Sequence, residues 1–413
     1  MKRRLLPILM TLVLVCALPI WAAFVTSGDV TNPLVSTAGA AELTLQGMID
    51  QANAGDTIKL SSNTEVHATL QITKNLTLDL NGCTLRMTGD GSVLKVSGRA
   101  TLTIQDSSAE GTGTITGGNA VDGGGVYIDN NATLKMTGGC ITGCHASYGG
   151  GIFSYENLYM SGTAKIEKCT SNGGSDDAIW NAEGVIYADG GTVDGTVNNQ
   201  GTITRSNGTN ANAATVFNKT VYMRGSKYTK RCIEAGTYNG TVENTGSIIG
   251  GTFYGTVRNQ KNSMGLNITG SVTGGTFYGP IVNEVGPGQV TGGTFAVHFD
   301  TGDGTKTGPE LVPWNDKVPR PTSDPEKSGH TFVGWYLGGE KYNFDTPITA
   351  PLTLTAEWEK VPASSGGYYY YPTTDTKADD AKDSPKTADP GVALYAALSL
   401  LSLTGLTCTT KKR

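Results

Sequence analysis

One short template, repeated along the second half of the chain, constrains the fold more than any other feature. Its four nine-residue copies begin at Gly191, Gly236, Gly251 and Gly275, and a partial copy begins at Gly292. The copies starting at Gly251 and Gly275 share the sequence Gly-Thr-Phe-Tyr-Gly. Units this short have too little apolar surface to fold alone, but they become stable when they stack on their neighbours. The repetition therefore predicts a solenoid.

The region before these copies alternates between apolar and polar residues in short runs, as β-strands do. Examples are residues 76–80, 102–104 and 134–136, each followed by Gly, Asn or Asp. The chain contains 57 glycines in 413 residues, about twice the usual ~7 %. Tight corners that need a positive φ explain this load of Gly and Asn. Only residues 45–52 have helical spacing, and they predict a helix that covers the open end of the first coil.

The order of these motifs resembles right-handed parallel β-helix proteins of the pectate-lyase-like class. The motifs are the first helix, the run from Gly55 to Ile58, the run from Leu78 to Gly82, and the glycine-rich coils. The resemblance covers residues 42–295 and implies an all-β fold. We expect a right-handed parallel β-helix solenoid with a short N-terminal cap helix and eleven or twelve coils of about 22 residues.

Residues 296–360 resemble the internalin B-repeat, a small β-grasp-like module of bacterial surface proteins. The resemblance rests on residues 329–336 and on residues 352–358, which read Leu-Thr-Leu-Thr-Ala-Glu-Trp. We predict that Trp335, Phe344 and Trp358 form the core of this module. For Trp314, both a core and a surface position are possible.

The N-terminus has the order of a secretory signal peptide. Three cations at residues 2–4 precede an apolar run from Leu5 to Val25, and small residues follow. We assign residues 1–41 to a signal peptide and leader, with an uncleaved signal anchor as the alternative.

The C-terminus combines a polar pentapeptide, an apolar run from Val392 to Leu406 and a basic end at residues 411–413. This order resembles the sorting signal of Gram-positive surface proteins, which sortase cleaves after Thr before it joins that Thr to the cell wall. Here Ser replaces the usual Leu, and Ala replaces the usual Gly. The pentapeptide consists of Ser384, Pro385, Lys386, Thr387 and Ala388.

The resemblance implies that sortase is a transient partner and that Thr387 becomes covalently joined to peptidoglycan. Residues 361–383 are then a linker, and residues 384–413 are the sorting signal with its apolar segment and basic tail. We expect an extracellular protein anchored to the wall of a Gram-positive cell. A simple C-terminal membrane anchor is the alternative.

Composition argues against several classes of function. The net charge is −5, and no Lys/Arg-rich face lies between the two ends, which argues against nucleic acid as a partner. Cys83, Cys140, Cys144, Cys169 and Cys232 have no regular spacing, so we predict buried thiols rather than a disulfide framework. The Cys140, Cys144 and His145 group lacks a second ligand pair at zinc-finger spacing, and no cofactor is expected.

Catalysis is the alternative that the β-helix resemblance raises, because this class includes polysaccharide lyases and hydrolases. Such an enzyme would need clustered carboxylates on one flank of the helix. The candidates are Asp176, Asp177, Asp189 and Asp194, with Arg205 as the nearest cation. No pattern in the sequence places these residues on one column, so we predict that the protein is not an enzyme.

A binding surface is better supported by the repeated template. Neighbouring side chains of a strand point to opposite faces, so inward Phe253 and Phe277 would turn Tyr254 and Tyr278 outward. Asn239 and Asp194 occupy the same template position in earlier copies. These four outward residues are candidate contacts for a host or microbial glycan or protein, and the predicted function is adhesion. The alternatives are a surface ladder that only stiffens the stack and a spacer that presents no specific ligand.

Overall fold

The computed structural model describes residues 29–31, 44–172, 174–206, 214–223, 231–260, 270–284, 289–303 and 307–362. Helix α1 spans Leu45–Gln51 and begins at Thr44, whose hydroxyl accepts a hydrogen bond from the Gly47 amide at 3.2 Å. The Gln46 side chain accepts a hydrogen bond from the Gln71 amide at 2.8 Å. The helix therefore covers the start of the solenoid, as predicted.

The strands are short and follow one another along the whole described chain. In chain order they are β1 (Asp29–Thr31), β2 (Thr57–Lys59), β3 (Thr64–Val66), β4 (Leu70–Ile72), β5 (Leu76–Asp79), β6 (Thr84–Met87), β7 (Leu94–Val96), β8 (Thr101–Gln105), β9 (Thr114–Thr116), β10 (Asn119–Asp122), β11 (Val126–Ile128), β12 (Thr133–Met136), β13 (Cys140–Thr142), β14 (His145–Tyr148), β15 (Ile152–Ser154), β16 (Asn157–Glu167), β17 (Ile179–Asn181), β18 (Val185–Asp194), β19 (Val197–Asn199), β20 (Thr202–Thr204), β21 (Val216–Phe217), β22 (Val221–Met223), β23 (Cys232–Ile233), β24 (Thr237–Tyr238), β25 (Val242–Asn244), β26 (Ser247–Ile248), β27 (Thr252–Phe253), β28 (Val257–Asn259), β29 (Ser271–Val272), β30 (Thr276–Phe277), β31 (Ile281–Asn283), β32 (Thr294–Asp300), β33 (Glu310–Pro313), β34 (His330–Leu337), β35 (Glu340–Lys341) and β36 (Leu352–Lys360).

Three stacks of parallel strands form the faces of the solenoid. The first stack contains β1, β2, β5, β8, β12, β16, β18, β20, β23, β26 and β29. The second contains β3, β6, β9, β13, the later halves of β16 and β18, β21, β24, β27, β30 and β32. The third is a ten-stranded sheet of β4, β7, β11, β15, β17, β19, β22, β25, β28 and β31. The chain passes through the three stacks in turn, which confirms the all-β, parallel β-helix prediction.

Coil length varies more than the repeated template suggests. On the third sheet Leu94 pairs with Val126 and Val126 with Ile152, so these coils take 32 and 26 residues. Val242 pairs with Val257, a coil of only 15 residues. Among the described residues, the first and second stacks contain eleven strands each and the third sheet contains ten, close to the eleven or twelve coils expected.

Stacked aromatic rings fill the interior of the later coils. Phe217, Tyr238, Phe253 and Phe277 occupy paired positions on the second stack, and all four are fully buried. Their ring centroids lie 4.8 to 5.0 Å apart, with nearly parallel planes. This spacing follows from the separation of adjacent strands, which is about 4.8 Å. The prediction that Phe253 and Phe277 point inward is therefore confirmed.

A second column lies at the end of the third-sheet strands. It consists of buried Asn181, Asn199, Asn244 and Asn259 and exposed Asn283, with Met223 between Asn199 and Asn244. Asn181 donates to Asn199 at 2.6 Å, Asn244 to Asn259 at 2.8 Å, and Asn259 to Asn283 at 2.7 Å, each from Nδ2 to Oδ1. The sequence analysis attributed the Asn load to corners with positive φ. For these template asparagines that explanation is wrong, because they lie in strands and hydrogen-bond along the solenoid axis.

The C-terminal module is continuous with the solenoid. Strand β32 pairs with β30 at Thr294 and Phe295 and then with β36 from Val297 onward, so residues 295 and 296 belong to one strand. The module sheet has the order β33-β32-β36-β34-β35, with β32 and β36 parallel and the other pairs antiparallel.

The core of the module differs in part from the prediction. Trp335 is buried and packs edge-on against Phe299 at 4.8 Å. Phe344 and Trp358 are only partly buried against the core, and so is Trp314. Smaller residues complete the interior: Val312, Val318, Ile348, Leu354 and Ala356.

Most of both predicted end segments lies outside the described residues. The exception is β1, which falls within residues 1–41 and pairs in parallel with β2. The remaining signal-peptide residues, the pentapeptide 384–388 and the apolar run 392–406 are not among the described residues. Within the described ranges, no helix is long and apolar enough to cross a membrane.

Neighbouring residues on β27 and its turn provide a direct test of the inward and outward assignment. We expect Phe253→Ala to lower the free energy of unfolding by about 3–5 kcal/mol, because it removes a buried ring from the stack. Tyr254→Ala, at a position that is 52 % exposed, should cost about 1 kcal/mol or less. Urea unfolding of the secreted chain measures both. Equal losses for the two variants would contradict the assignment.

Candidate binding surface along the coils

Outward side chains form a line along the second stack of strands. Each one belongs to the residue that directly follows a buried, inward residue of that stack. Strand register places these residues on successive coils. We call this set the corner file: Glu167, Asp194, Asn218, Asn239, Tyr254 and Tyr278. It contains the four predicted contact residues in the predicted order. It also contains Glu167 and Asn218, which the sequence analysis missed.

In two pairs of neighbouring corner-file residues, the side chains contact each other along the solenoid axis. Tyr254 and Tyr278 stack with ring centroids 4.6 Å apart and an interplanar angle of 16°. Asn239 Nδ2 donates to Asn218 Oδ1 at 2.9 Å. Tyr254 and Asn239 are exposed, and Tyr278 and Asp194 are half-exposed. The file therefore presents aromatic rings, amides and carboxylates on successive coils, where solvent reaches them.

At the N-terminal end of the corner file, Glu167 forms an ion pair with Lys165. Lys165 Nζ lies 2.6 Å from a Glu167 oxygen, and this hydrogen bond is the main cause that holds the pKa of Glu167 below its usual value. The carboxylate thus stays ionised at neutral pH. This end of the file therefore presents a fixed negative charge beside a cation.

Another stacked pair of tyrosines lies on the first stack of strands. Tyr159 and Tyr187 pair in register, with ring centroids 4.0 Å apart and nearly parallel planes, and Lys135 Nζ lies 5.4 Å from the Tyr159 centroid. The sequence analysis missed this pair because its residues lie outside the repeated template. The pair shows that stacking of outward tyrosines is a general result of the coil spacing.

Two shallow grooves adjoin the second stack and meet at Ala214. The larger has a volume of about 500 Å³ and is lined by Gly162, Thr163, Lys165, Gly190, Gly191, Thr192, Ala214 and Val216. The smaller, about 310 Å³, is lined by Arg205, Ala214, Glu234, Ala235, Gly236, Thr237, Gly251 and Thr252. Their walls are mostly glycine and threonine, so they offer hydroxyl groups and close access to backbone.

The candidate catalytic carboxylates have local partners. Asp176 is exposed and lies 3.9 Å from Lys219 Nζ. Asp189 is buried and accepts hydrogen bonds from the Ser206 amide at 3.1 Å and the Ser206 hydroxyl at 2.6 Å. Asp194 belongs to the corner file.

Asp177 differs from the other carboxylates because it is almost fully buried. One oxygen accepts a hydrogen bond from the Gly149 amide at 2.9 Å, and the other has no hydrogen-bond partner among the described residues. Burial raises the pKa of Asp177 to about 6, because the charged form loses hydration. Arg205, the predicted cation, lines the smaller groove.

The cysteines and the candidate metal ligands give no metal centre within the described ranges. The prediction of buried thiols is confirmed for Cys144, Cys169 and Cys232, whereas Cys83 and Cys140 are half-buried. His145 contacts the Thr170 hydroxyl at 3.1 Å. No group of three His, Cys, Asp or Glu residues in the described part of the chain is arranged to hold a metal ion.

Comparison with known families identifies the module at the end of the solenoid. Residues 295–357 match the Listeria-Bacteroides repeat domain. Such domains occur in extracellular bacterial surface proteins, so the match indicates an extracellular surface protein of repeat type. No curated protein and no solved structure matches the chain significantly.

Asp177 generates a prediction about pH. Its pKa is about 6 in the folded protein, against an ordinary value of 3.8, so the folded state holds this proton more tightly than the unfolded state. The contribution to stability is therefore greatest below pH 3.8 and is lost as pH rises towards 6. Asp177→Asn keeps an acceptor for Gly149 and removes the charge.

We expect Asp177→Asn to raise the free energy of unfolding at pH 7 by on the order of 1–2 kcal/mol and to flatten its decline between pH 4 and 6. Denaturant titrations at a series of pH values measure this, with exposed Asp176→Asn as the matched control. A wild-type decline that persists unchanged in Asp177→Asn would show that other groups cause it.

Proposed function

We propose that this chain is a wall-anchored adhesin whose β-helix presents the corner file to a host or microbial glycan or protein, without catalysis. The observation that carries the proposal is the solvent-accessible file on successive coils, which ends in the stacked Tyr254 and Tyr278 rings. The Listeria-Bacteroides repeat domain at the C-terminal end of the solenoid supports an extracellular setting. The sequence resemblances add the Gram-positive sorting signal and the pectate-lyase-like ancestry of the β-helix.

The geometry of the corner file suits an extended ligand. Its members recur once per coil, at the strand separation of about 4.8 Å. Tyrosine supplies apolar area at low conformational cost together with a hydroxyl, and the Asn and Asp side chains supply donors and acceptors. A linear polymer or an extended peptide lying along the axis would contact several members at once.

The proposed ligand contacts can be tested by binding. We expect the double variant Tyr254→Ala and Tyr278→Ala to lose at least tenfold in affinity for ligands found by a glycan array and a panel of surface proteins, because aromatic anchors dominate such contacts. The double variant Tyr159→Ala and Tyr187→Ala removes an equivalent stack elsewhere and serves as the control. Equal effects of both double variants would indicate that tyrosine stacking only stiffens the solenoid.

The proposed anchoring can be tested separately. We expect Thr387→Ala to abolish covalent attachment, because sortase needs this residue to form the acyl-enzyme bond and then the bond to peptidoglycan. Fractionation of cells into medium, membrane and wall after muralytic digestion measures the distribution. Protein that remains covalently bound to wall fragments in Thr387→Ala would refute the cleavage assignment.

The absence of catalysis is also part of the proposal. The alternative is a wall-anchored polysaccharide lyase or hydrolase on the flank, and it would use the carboxylates near the two grooves. Incubation of the ectodomain with neutral and uronic polysaccharides, followed by assays for reducing ends and unsaturated products, separates the two functions. Turnover that is lost in Asp177→Asn or Asp189→Asn would establish the enzyme.

A further inference from the structure

The third sheet carries an aromatic cluster that shares no residue with the corner file. Strand register places Lys95, Tyr127, Phe153 and Trp180 at one outward position on four successive coils. Tyr127 and Phe153 stack with centroids 5.6 Å apart and planes within 7° of parallel. Lys95 Nζ lies 5.1 Å from the Tyr127 centroid, so a cation closes one end of the column.

Two further tyrosines widen this column into a patch. Tyr155 packs edge-on against Phe153 at 5.0 Å and against Tyr127 at 6.3 Å. Tyr148 packs edge-on against Trp180 at 4.8 Å. We call Tyr127, Tyr148, Phe153, Tyr155 and Trp180 the aromatic patch. Phe153 is 5 % exposed and forms its floor, whereas Tyr148 is 46 % exposed and stands at its rim.

Two of the coils that carry the patch have an additional strand. Strands β10 and β14 form an additional two-stranded sheet here, which adds a fourth strand to these coils. Each of the two strands is followed by a Gly-Gly-Gly run. Gly149 has a φ of +62°, and a Cβ there would lie 2.1 Å from the Ile152 carbonyl oxygen. Only glycine permits this sharp turn, which brings Tyr148 beside Trp180.

The polar groups nearest the patch are carboxylates. Asp177, 4 % exposed, accepts a hydrogen bond from the Gly149 amide next to Tyr148, and both of its oxygens are buried. Asp122 and Asp129 are half-exposed, so they are the carboxylates that a ligand can reach. Lys95, at the end of the column, lies 3.7 Å from Asp129. Burial raises the pKa of the nearby Asp122 carboxyl.

The hydroxyl of Tyr127 complements these acceptors. Burial, together with the neighbouring Asp129, Tyr155 and Asp122, raises the pKa of Tyr127 to about 12. The hydroxyl therefore stays protonated at neutral pH and can donate a hydrogen bond. The patch thus combines aromatic surface with carboxylate acceptors, and the cation at its end, Lys95, lies beside the Asp129 carboxylate.

We propose that the aromatic patch is a second binding site, which takes a neutral glycan. The C–H faces of pyranose rings pack on aromatic side chains, and sugar hydroxyls donate hydrogen bonds to accessible carboxylates, here those of half-exposed Asp122 and Asp129. The carboxylates disfavour uronic, sulfated or sialylated chains, because burying like charges together is costly. The proposal does not depend on the corner file, which consists of other residues and has its own test.

The test uses the secreted ectodomain and two sets of probes: neutral oligosaccharides of hexoses and N-acetylhexosamines, and uronic oligosaccharides of matched length. We expect the wild type to bind a neutral probe in preference to every uronic probe. Tyr148→Ala should weaken that binding at least tenfold, and Tyr148→Phe should retain it because the ring remains. Tyr148 is largely solvent-exposed, so unchanged thermal unfolding will establish that Tyr148→Ala still folds.

The corner-file double variant, Tyr254→Ala with Tyr278→Ala, separates this site from the proposed function. Neutral-glycan binding that survives in the double variant and is lost in Tyr148→Ala supports the aromatic patch. A wild type that binds no neutral probe, a preference for uronic probes or for proteins, or unchanged affinity in Tyr148→Ala would overturn the proposal. Loss of neutral-glycan binding in the double variant alone would assign the glycan to the corner file and likewise overturn it.

Discussion

In-register parallel pairing between successive coils is the interaction on which the rest of the structure depends. Each coil donates and accepts backbone hydrogen bonds along the axis, so identical template positions lie above one another. The buried aromatic column from Phe217 to Phe277 and the asparagine column from Asn181 to Asn283 are both consequences of this register. A slip of one residue would turn the phenylalanines outward and leave the buried amides without partners.

The same register produces the surface files. Any outward residue that recurs once per coil becomes a column, whether it serves binding or only stability. The corner file, the Tyr159 and Tyr187 pair, and the aromatic patch are three such columns. They differ in accessibility and in their polar neighbours. Accessible acceptors beside the rings distinguish a binding site from a stiffening ladder better than ring stacking alone, and the half-exposed carboxylates of Asp122 and Asp129 give the patch such acceptors.

Much of the fold follows from the sequence because the template repeats with the period of the coils. That period predicts the solenoid, the inward Phe253 and the outward Tyr254. It does not predict the asparagine column, since Asn at the end of a strand resembles an ordinary turn residue. It also misses strands β10 and β14, which add residues to particular coils. The candidate sites are predictable to the same extent. Asn218 was not predicted because its copy of the template lacks the Gly-Thr pair. The aromatic patch was not predicted because Tyr148 and Tyr155 lie outside the template.

Disulfide cross-linking between residues that pair in register is the most direct test of whether successive coils stack as parallel strands. Thr252 and Thr276 pair on adjacent coils, and Thr294 pairs with Thr276 one coil further on. With the native cysteines replaced by alanine, the pair Thr252→Cys and Thr276→Cys should form an intramolecular disulfide, because a strand separation of about 4.8 Å falls within the Cα range of such bonds. The pair Thr252→Cys and Thr294→Cys, about 10 Å apart, should stay reduced. Mass spectrometry of the oxidised peptides decides the result. Efficient cross-linking of the second pair, or none of the first, would contradict stacked parallel coils.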